Sequence, residues 1–329
     1  MPNSDQVLPI VDITSSSAAQ QVYDAATTLG FFFINGTDFT ADEVDNIFAL
    51  SKSFFALPYE EKQKFAIQSH NRGYSRMNKE KLDLSTNGDP KEAFNFGQFD
   101  NDGKPIQSLP SIFAHNELTI AKHAQKCHAT CNKVLDLLAE ALQIDPDRGG
   151  NQWFSSRHNL NQYSGSILRF LYYPAQDDAD LNHVRAGAHT DYGSVTLLFQ
   201  RPGQEGLEVR SPVTGEWLPI PALQARHDKS CPPIVVNIAD QLSFWSAGVL
   251  KSALHRVKSA ETVQARRRDR YSVAYFCHPA DDTLLEPVPS LVISSVQDRG
   301  PADPGNQYKV LTAGEHLAKR LAAAYDWEK

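Results

Sequence analysis

"AGAHTDYGSVTLLFQ", residues 186–200, sets an imidazole and a carboxylate two positions apart, His189 and Asp191, ahead of an apolar, β-branched run. Side chains two apart on a strand point to one face, so the pair can aim a nitrogen and an oxygen at a common point. Gly187 and Gly193 flank it and permit tight backbone geometry, and no helical periodicity surrounds it. His-x-Asp alone is a weak signal. The strand context gives it weight and raises the question of a third ligand.

On either side of this stretch, from about residue 153, short runs alternate with turn clusters. "SILRFLYY", "GLEVRSP", "PIVVNIA", "SALHRVKS" and "RYSVAYFCHP" are separated by sequences such as "RPGQEG" and "SPVTGEW". Closely spaced short strands with Gly/Pro turns predict an antiparallel sandwich or barrel. The first third reads as mainly helical after a short strand, "VLPIVDI". One helix follows "SSS" and runs to Gly30, and a second opens with a capping box, Thr40 to Glu43. The longest helical stripe steps through Ile120, Ala124, Cys127, Cys131, Val134, Leu138 and Leu142. His123, Cys127, His128 and Cys131 suggest zinc, but the two cysteines fall inside the apolar stripe and are expected in the core. A second capping box, Thr312 to Glu315, begins a closing helix through Leu317, Leu321 and Tyr325. With no repeat or flexible linker, the expectation is one domain over 1–329. Its parts are a mainly helical region at 1–110, a long helix at 115–144, a β core at 153–280, and a C-terminal extension with a helix at 281–329.

The chain has 329 residues, 41% hydrophobic and 22% charged, which suits a soluble globular protein with a sizeable core. A formal charge of −7 argues against a nucleic-acid partner. The basic run "RRRDR" at 266–270 reads as a solvated turn, Arg270 excepted. Four cysteines form no disulfide ladder, the N-terminus has no signal-peptide pattern, and no apolar run approaches the roughly 20 residues needed to span a bilayer. The expected setting is cytoplasmic, with a small-molecule substrate and no membrane partner. The oligomeric state stays open.

Among the other histidines, His255 is singled out by "SALHRV", where Ala253, His255 and Val257 share a face. The alternative is a satisfied core histidine. Two imidazoles and one carboxylate on one side of a metal leave positions open opposite, the arrangement of non-haem Fe(II) oxygenases. Farther on, Arg270 and Ser272 lie on one face of "RYSVAYF", a guanidinium fork and a hydroxyl suited to a carboxylate. In "LRFLYYP", Arg169, Leu171 and Tyr173 share a face, and Tyr173 offers a second hydroxyl.

These motifs resemble the Fe(II)/2-oxoglutarate-dependent dioxygenases of the isopenicillin-N-synthase-like superfamily, the small-molecule enzymes of plants and fungi in particular. The resemblance covers almost the whole chain. "LPIVDI", "LGFFFING" and "FFALPYEEK" are similar to the family's opening strand and first two helices, and "RGYSR" and "DPKEAFNFG" to the segment before the long helix. "HTDYGSVTLLFQ", "NIADQLSFWSAGVLKSALHRV" and "RYSVAYF" match its catalytic core, and "TAGEHLAKRLAAAY" its last helix. The resemblance implies a mostly β fold with flanking α: a double-stranded β-helix (jelly-roll) core buttressed by N-terminal helices, the long central helix and the C-terminal helix. It implies His189, Asp191 and His255 as Fe(II) ligands, and Arg270, Ser272 and Tyr173 as the residues that hold 2-oxoglutarate, the cosubstrate consumed with O2. The implied reaction oxidises a small aromatic or polyketide-derived secondary metabolite by hydroxylation, desaturation or ring rearrangement, releasing succinate and CO2. Leu171 departs from the pattern, standing where the family often has asparagine. Arg185 is a candidate substrate contact, the alternative being an ion pair with Asp177, Asp178 or Asp180. The segments "NRGYSRMNKEKLDL" and "NLNQYSG" and the loop before His189 are expected to line the pocket. Competing readings are an oxidase of the same superfamily that binds its substrate's carboxylate at Arg270 and Ser272 without 2-oxoglutarate, and a non-catalytic metal-containing binding protein. A zinc hydrolase is weaker, since no glutamate stands beside His189 as a base.

Overall fold

The computed structural model describes residues 8–82, 88–100, 102–176, 184–225, 230–259, 262–297 and 310–324. Their strands are β1 (Ile10–Asp12), β2 (Phe31–Asn35), β3 (Gly73–Ser75), β4 (Glu92–Phe96), β5 (Ile167–Tyr173) and β6 (Val184–His189). They continue with β7 (Val195–Phe199), β8 (Leu207–Arg210), β9 (Trp217–Pro219), β10 (Ile234–Ile238), β11 (His255–Lys258) and β12 (Arg270–Cys277). An eight-stranded sheet runs β1-β2-β10-β7-β12-β5-β4-β3 and a four-stranded sheet runs β6-β11-β8-β9. All pairings are antiparallel except β1 with β2. This is the jelly roll that the resemblance implied.

Alternation along the strands sorts side chains between two interiors. In β10, "IVVNI", Ile234, Val236 and Ile238 join the large core under the helices, while Val235 packs toward the smaller sheet with Val209 and Leu207. β2 is a strand inside the region expected to be mainly helical. Phe32 and Ile34 enter the large core and Phe31 and Phe33 the smaller one, so both faces are apolar and no period-two signal marks it. β1 to β4 thus extend the large sheet on both sides of β10, β7, β12 and β5.

Helices cover the outer face of that sheet. The helix Ala41–Phe55 begins with the expected capping box: Glu43 N donates to Thr40 Oγ1 at 3.2 Å, and Thr40 N to Glu43 Oε2 at 3.0 Å. Its Phe54 lies 5.0 Å from Phe94 and 4.7 Å from Phe113, centroid to centroid, and Phe113 is 5.7 Å from Phe170. Burying each such ring contributes on the order of 1.5–3 kcal/mol, which fixes the helix to the β4–β5 end of the sheet. The long helix Glu117–Ala141 carries Cys127 and Cys131 fully buried, and burial pushes both thiols up. They are core residues, not a zinc site. The closing helix Ala313–Ala324 opens with the second capping box, Glu315 N to Thr312 Oγ1 at 3.1 Å and Thr312 N to Glu315 Oε2 at 3.1 Å. Tyr325 lies outside the described residues. Among those described, no helix is long and apolar enough to cross a membrane.

Candidate metal centre

His189 ends β6 and His255 begins β11, and the two are register partners in the four-stranded sheet, with ring centroids 4.3 Å apart. Asp191 is not on the strand. It sits one residue beyond His189's neighbour in the turn between β6 and β7, so a turn and not strand alternation brings it to the histidines. That turn is bound to the start of the short helix Asp240–Trp245: Asp240 N donates to Asp191 O at 2.8 Å and Gln241 N to Gly193 O at 2.9 Å. Gly193 passes so close to β12 that a Cβ there would stand 2.5 Å from the Cys277 carbonyl oxygen. Asp191 Oδ1 lies 3.8 Å from His189 Nε2 and 3.6 Å from His255 Nε2. The three ligand atoms fall within 4.8 Å of one another, the one such cluster among the described residues.

Backbone carbonyls orient both rings. His189 Nδ1 meets Gly187 O at 2.7 Å and His255 Nδ1 meets Ala253 O at 3.1 Å. A carbonyl can only accept, so each Nδ1 carries the proton and each Nε2 presents its lone pair to the centre. Asp191 is held by its other oxygen: Thr196 Oγ1 and Asn237 Nδ2 both donate to Oδ2 at 2.7 Å. Burial pushes Asp191 up, but the two imidazoles and these two donors outweigh it and hold the carboxyl below its ordinary value. Burial and the neighbouring His255 push His189 down to about 3. Two neutral nitrogens and one carboxylate oxygen, with no cysteine, fit a ferrous ion that keeps open positions.

The same cavity, of about 130 Å3, reaches Arg270, Ser272, Tyr173 and Leu171. Arg270 and Ser272 on β12 pair with Tyr173 and Leu171 on β5. The Arg270 guanidinium is 3% exposed, lies 4.9 Å from the Tyr173 ring, and donates to Gln204 O at 3.0 Å, Gln200 Oε1 at 3.3 Å and Ser272 Oγ at 3.4 Å. Burial lowers its pKa, and it makes no ion pair among the described residues. Leu171 packs with Tyr173, Ala186, Val257 and Ala274. Arg185 is not brought to this cavity. Its guanidinium lies 5.4 Å from the Tyr173 ring, on a side chain that donates to Pro174 O, and burial followed by repulsion from Arg270 brings it down to about 10. Asp177, Asp178 and Asp180, its expected alternative partners, lie outside the described residues, as does most of the loop before His189. From the other expected segments, Asn71, Glu80, Leu82 and Gly165 do line the cavity.

Sequence reasoning missed Asn237 and Thr196, which are cross-strand partners on β10 and β7. The lone amide inside "IVVNI" was the available signal. It also missed a buried charge cluster in which Lys91, Glu80, Asp89 and Arg169 adjoin.

Residues 8–116 match the family model for the non-haem dioxygenase in morphine synthesis N-terminal region, and residues 164–279 match that of the 2OG-Fe(II) oxygenase superfamily. A 2-oxoglutarate-dependent dioxygenase of Didymella fabae is 31% identical, over 82% of this chain and 83% of its own. A UPF0676 protein of Schizosaccharomyces pombe is also 31% identical, over 97% and 93%. A full-length Neurospora crassa protein, solved in complex with alpha-KG, superposes with a TM-score of 0.77 at 28% identity, covering 98% of each chain. The same Neurospora protein has also been solved with alpha-KG and thymine together.

Proposed function

The chain belongs to the 2OG-Fe(II) oxygenase superfamily and is a 2-oxoglutarate-dependent dioxygenase that uses Fe(II) and O2, and from that premise we propose a role for each residue of the cavity. His189, Asp191 and His255 hold the iron. Arg270, Ser272 and Tyr173 hold the distal carboxylate of 2-oxoglutarate. The observation that carries this reading is Arg270: a buried guanidinium without an ionic partner among the described residues, opening on the cavity that contains the three ligands. Such a cation favours an anion that binds through a planar pair of oxygens.

Iron and 2-oxoglutarate supply the oxidising chemistry, in which O2 is reduced, 2-oxoglutarate loses CO2 to become succinate, and the substrate is oxidised. The chain's own contribution is geometry and exclusion of water. Arg270 and Ser272 set how far the cosubstrate reaches toward His189 and His255. Asp191 contributes one negative charge while Thr196 and Asn237 keep its second oxygen turned away. Leu171 gives the cosubstrate an apolar wall in place of an amide. Leu317 and Leu321 of the closing helix, with Ile167 and Phe276, add apolar side chains to the cavity wall. The apolar lining and small volume favour a small aromatic or polyketide-derived substrate, oxidised by hydroxylation, desaturation or ring rearrangement.

The test is anaerobic. Apo-protein titrated with Fe(II) and then 2-oxoglutarate is expected to develop the visible charge-transfer band of a bidentate keto-acid complex. Arg270→Ala should weaken 2-oxoglutarate binding by about 100-fold, in line with loss of a charge-assisted pair. Iron binding without a band would instead give Arg270 to the substrate's carboxylate. Absence of iron binding would sink the assignment of the three ligands.

A further inference from the structure

Strand β12 lays one face along the cavity. Arg270, Ser272, Ala274 and Phe276 line it, and so does His278, one residue past the strand's end. Successive side chains on one face of a strand stand about 7 Å apart. Arg270 and His278 therefore mark opposite ends of the row, with the small Ala274 and the Phe276 ring between them. His278 is not one of the metal ligands: among the described residues that cluster is His189, Asp191 and His255.

The ring of His278 is held in place but not satisfied. Its backbone is fixed by Ser166: His278 N donates to Ser166 Oγ at 3.0 Å, and Ser166 Oγ donates to His278 O at 3.3 Å. Two glycines leave the imidazole uncovered. A Cβ on Gly165 would stand 3.3 Å from Nδ1, and one on Gly193 only 2.8 Å from Nε2. Gly193 belongs to the turn that carries Asp191, so the ring borders the metal centre. His278 is 6% exposed, yet neither ring nitrogen has a hydrogen-bond partner among the described residues. Two nearby buried imidazoles behave otherwise. His128 meets Tyr275 Oη at 3.2 Å and His158 O at 2.6 Å, and His158 meets Phe154 O at 2.7 Å and Ser194 Oγ at 2.8 Å. The nitrogens of His278 also keep open surface, unlike the sealed and unpaired Nε2 of His123. Burial, followed by repulsion from His158 and His316, brings His278 down to about 3. The ring is thus neutral, with one donor and one acceptor. A buried polar group without a partner calls for an explanation, and a ligand in the cavity can supply one.

We propose that His278 anchors the substrate by a hydrogen bond to an uncharged hydroxyl, at the end of the cavity away from Arg270. The inference rests on the dioxygenase reading above and adds a specificity residue to it. A hydroxyl both donates and accepts, so either tautomer of the ring can hold it.

The probes are para-cresol and para-xylene, which differ only by a hydroxyl in place of a methyl group. Protein loaded anaerobically with Fe(II) and 2-oxoglutarate is titrated with each. Perturbation of the charge-transfer band and the thermal shift of the complex both report occupancy. The band before any addition checks the iron and cosubstrate assignment separately. His278→Phe keeps an aromatic ring and removes both nitrogens. It should lower the affinity for cresol relative to xylene by about tenfold, as expected when a buried hydroxyl loses its partner. His278→Gln, which brings back a donor and an acceptor, should recover most of that preference, and a merely structural role would not give this rescue. In histidine-labelled NMR spectra of the unaltered protein, one imidazole should shift with cresol and not with xylene, and that signal should be missing from His278→Gln. An unchanged cresol-to-xylene ratio in a folded His278→Phe protein would overturn the proposal, and so would cresol that fails to bind the unaltered protein.

Discussion

At the scale of the residue, Asp191 divides its two oxygens. Oδ1 faces the imidazoles and Oδ2 takes the donors from Thr196 and Asn237. Partners in the outer ring of a metal site typically change affinity by about 10–100-fold, so Asn237→Ala is expected to weaken Fe(II) binding within that range while the fold survives. A metal titration followed by near-ultraviolet circular dichroism separates the two effects. The ligand candidates were legible because His189, Asp191, Arg270 and Ser272 come in pairs two residues apart, a spacing that survives without knowledge of the fold. Asn237 and Thr196 were not legible from local spacing. Each owes its place to a partner strand many residues away, and register between such strands is set by packing and not by local spacing.

At the scale of the element, the closing helix Ala313–Ala324 reaches the metal turn through one side chain. Arg320 Nη2 lies 2.6 Å from Asp240 Oδ2 and donates to Thr190 Oγ1 at 3.2 Å, and its guanidinium lies 5.0 Å from the Tyr192 ring. The Arg320 side chain is 43% exposed, so screening keeps the ion pair's share of stability to about 1 kcal/mol or less. Arg320→Ala should therefore leave Tm almost unchanged yet speed amide hydrogen exchange in this helix and raise KM for the substrate more than for 2-oxoglutarate. Equal changes in both KM values would refute this placing of the helix. Capped helices were readable from sequence because Thr40 with Glu43, and Thr312 with Glu315, are local signatures. β2 was not, because a strand buried on both faces loses its alternation.

At the scale of the whole molecule, burial of neutral imidazoles ties stability to pH. His123 on the long helix is packed between Phe39 and Phe199, at 5.2 and 5.1 Å, and burial pushes it down to about 4. The unfolded chain protonates this ring near pH 6.5 while the folded protein does not. Stability is thus full above that pH and declines as the pH falls from there toward 4. For His123 the loss between pH 7 and pH 5 is about 2 kcal/mol. Urea midpoints at the two pH values should differ less in His123→Phe, and an equal difference would remove His123 as the cause.

The two imidazoles of the metal site belong to the four-stranded sheet, whereas Asp191 is steadied by Thr196 and Asn237 of the eight-stranded one. An ion bound there is a rivet through the seam of the sandwich, and its occupancy becomes part of the folding equilibrium. Once free iron exceeds its dissociation constant, each further tenfold rise adds about 1.4 kcal/mol against unfolding. A chelator should accordingly lower Tm and hasten proteolysis of a protein whose chemistry has not been touched. The durability of this chain would then follow the supply of its metal, so that a starved cell loses the enzyme as well as its turnover.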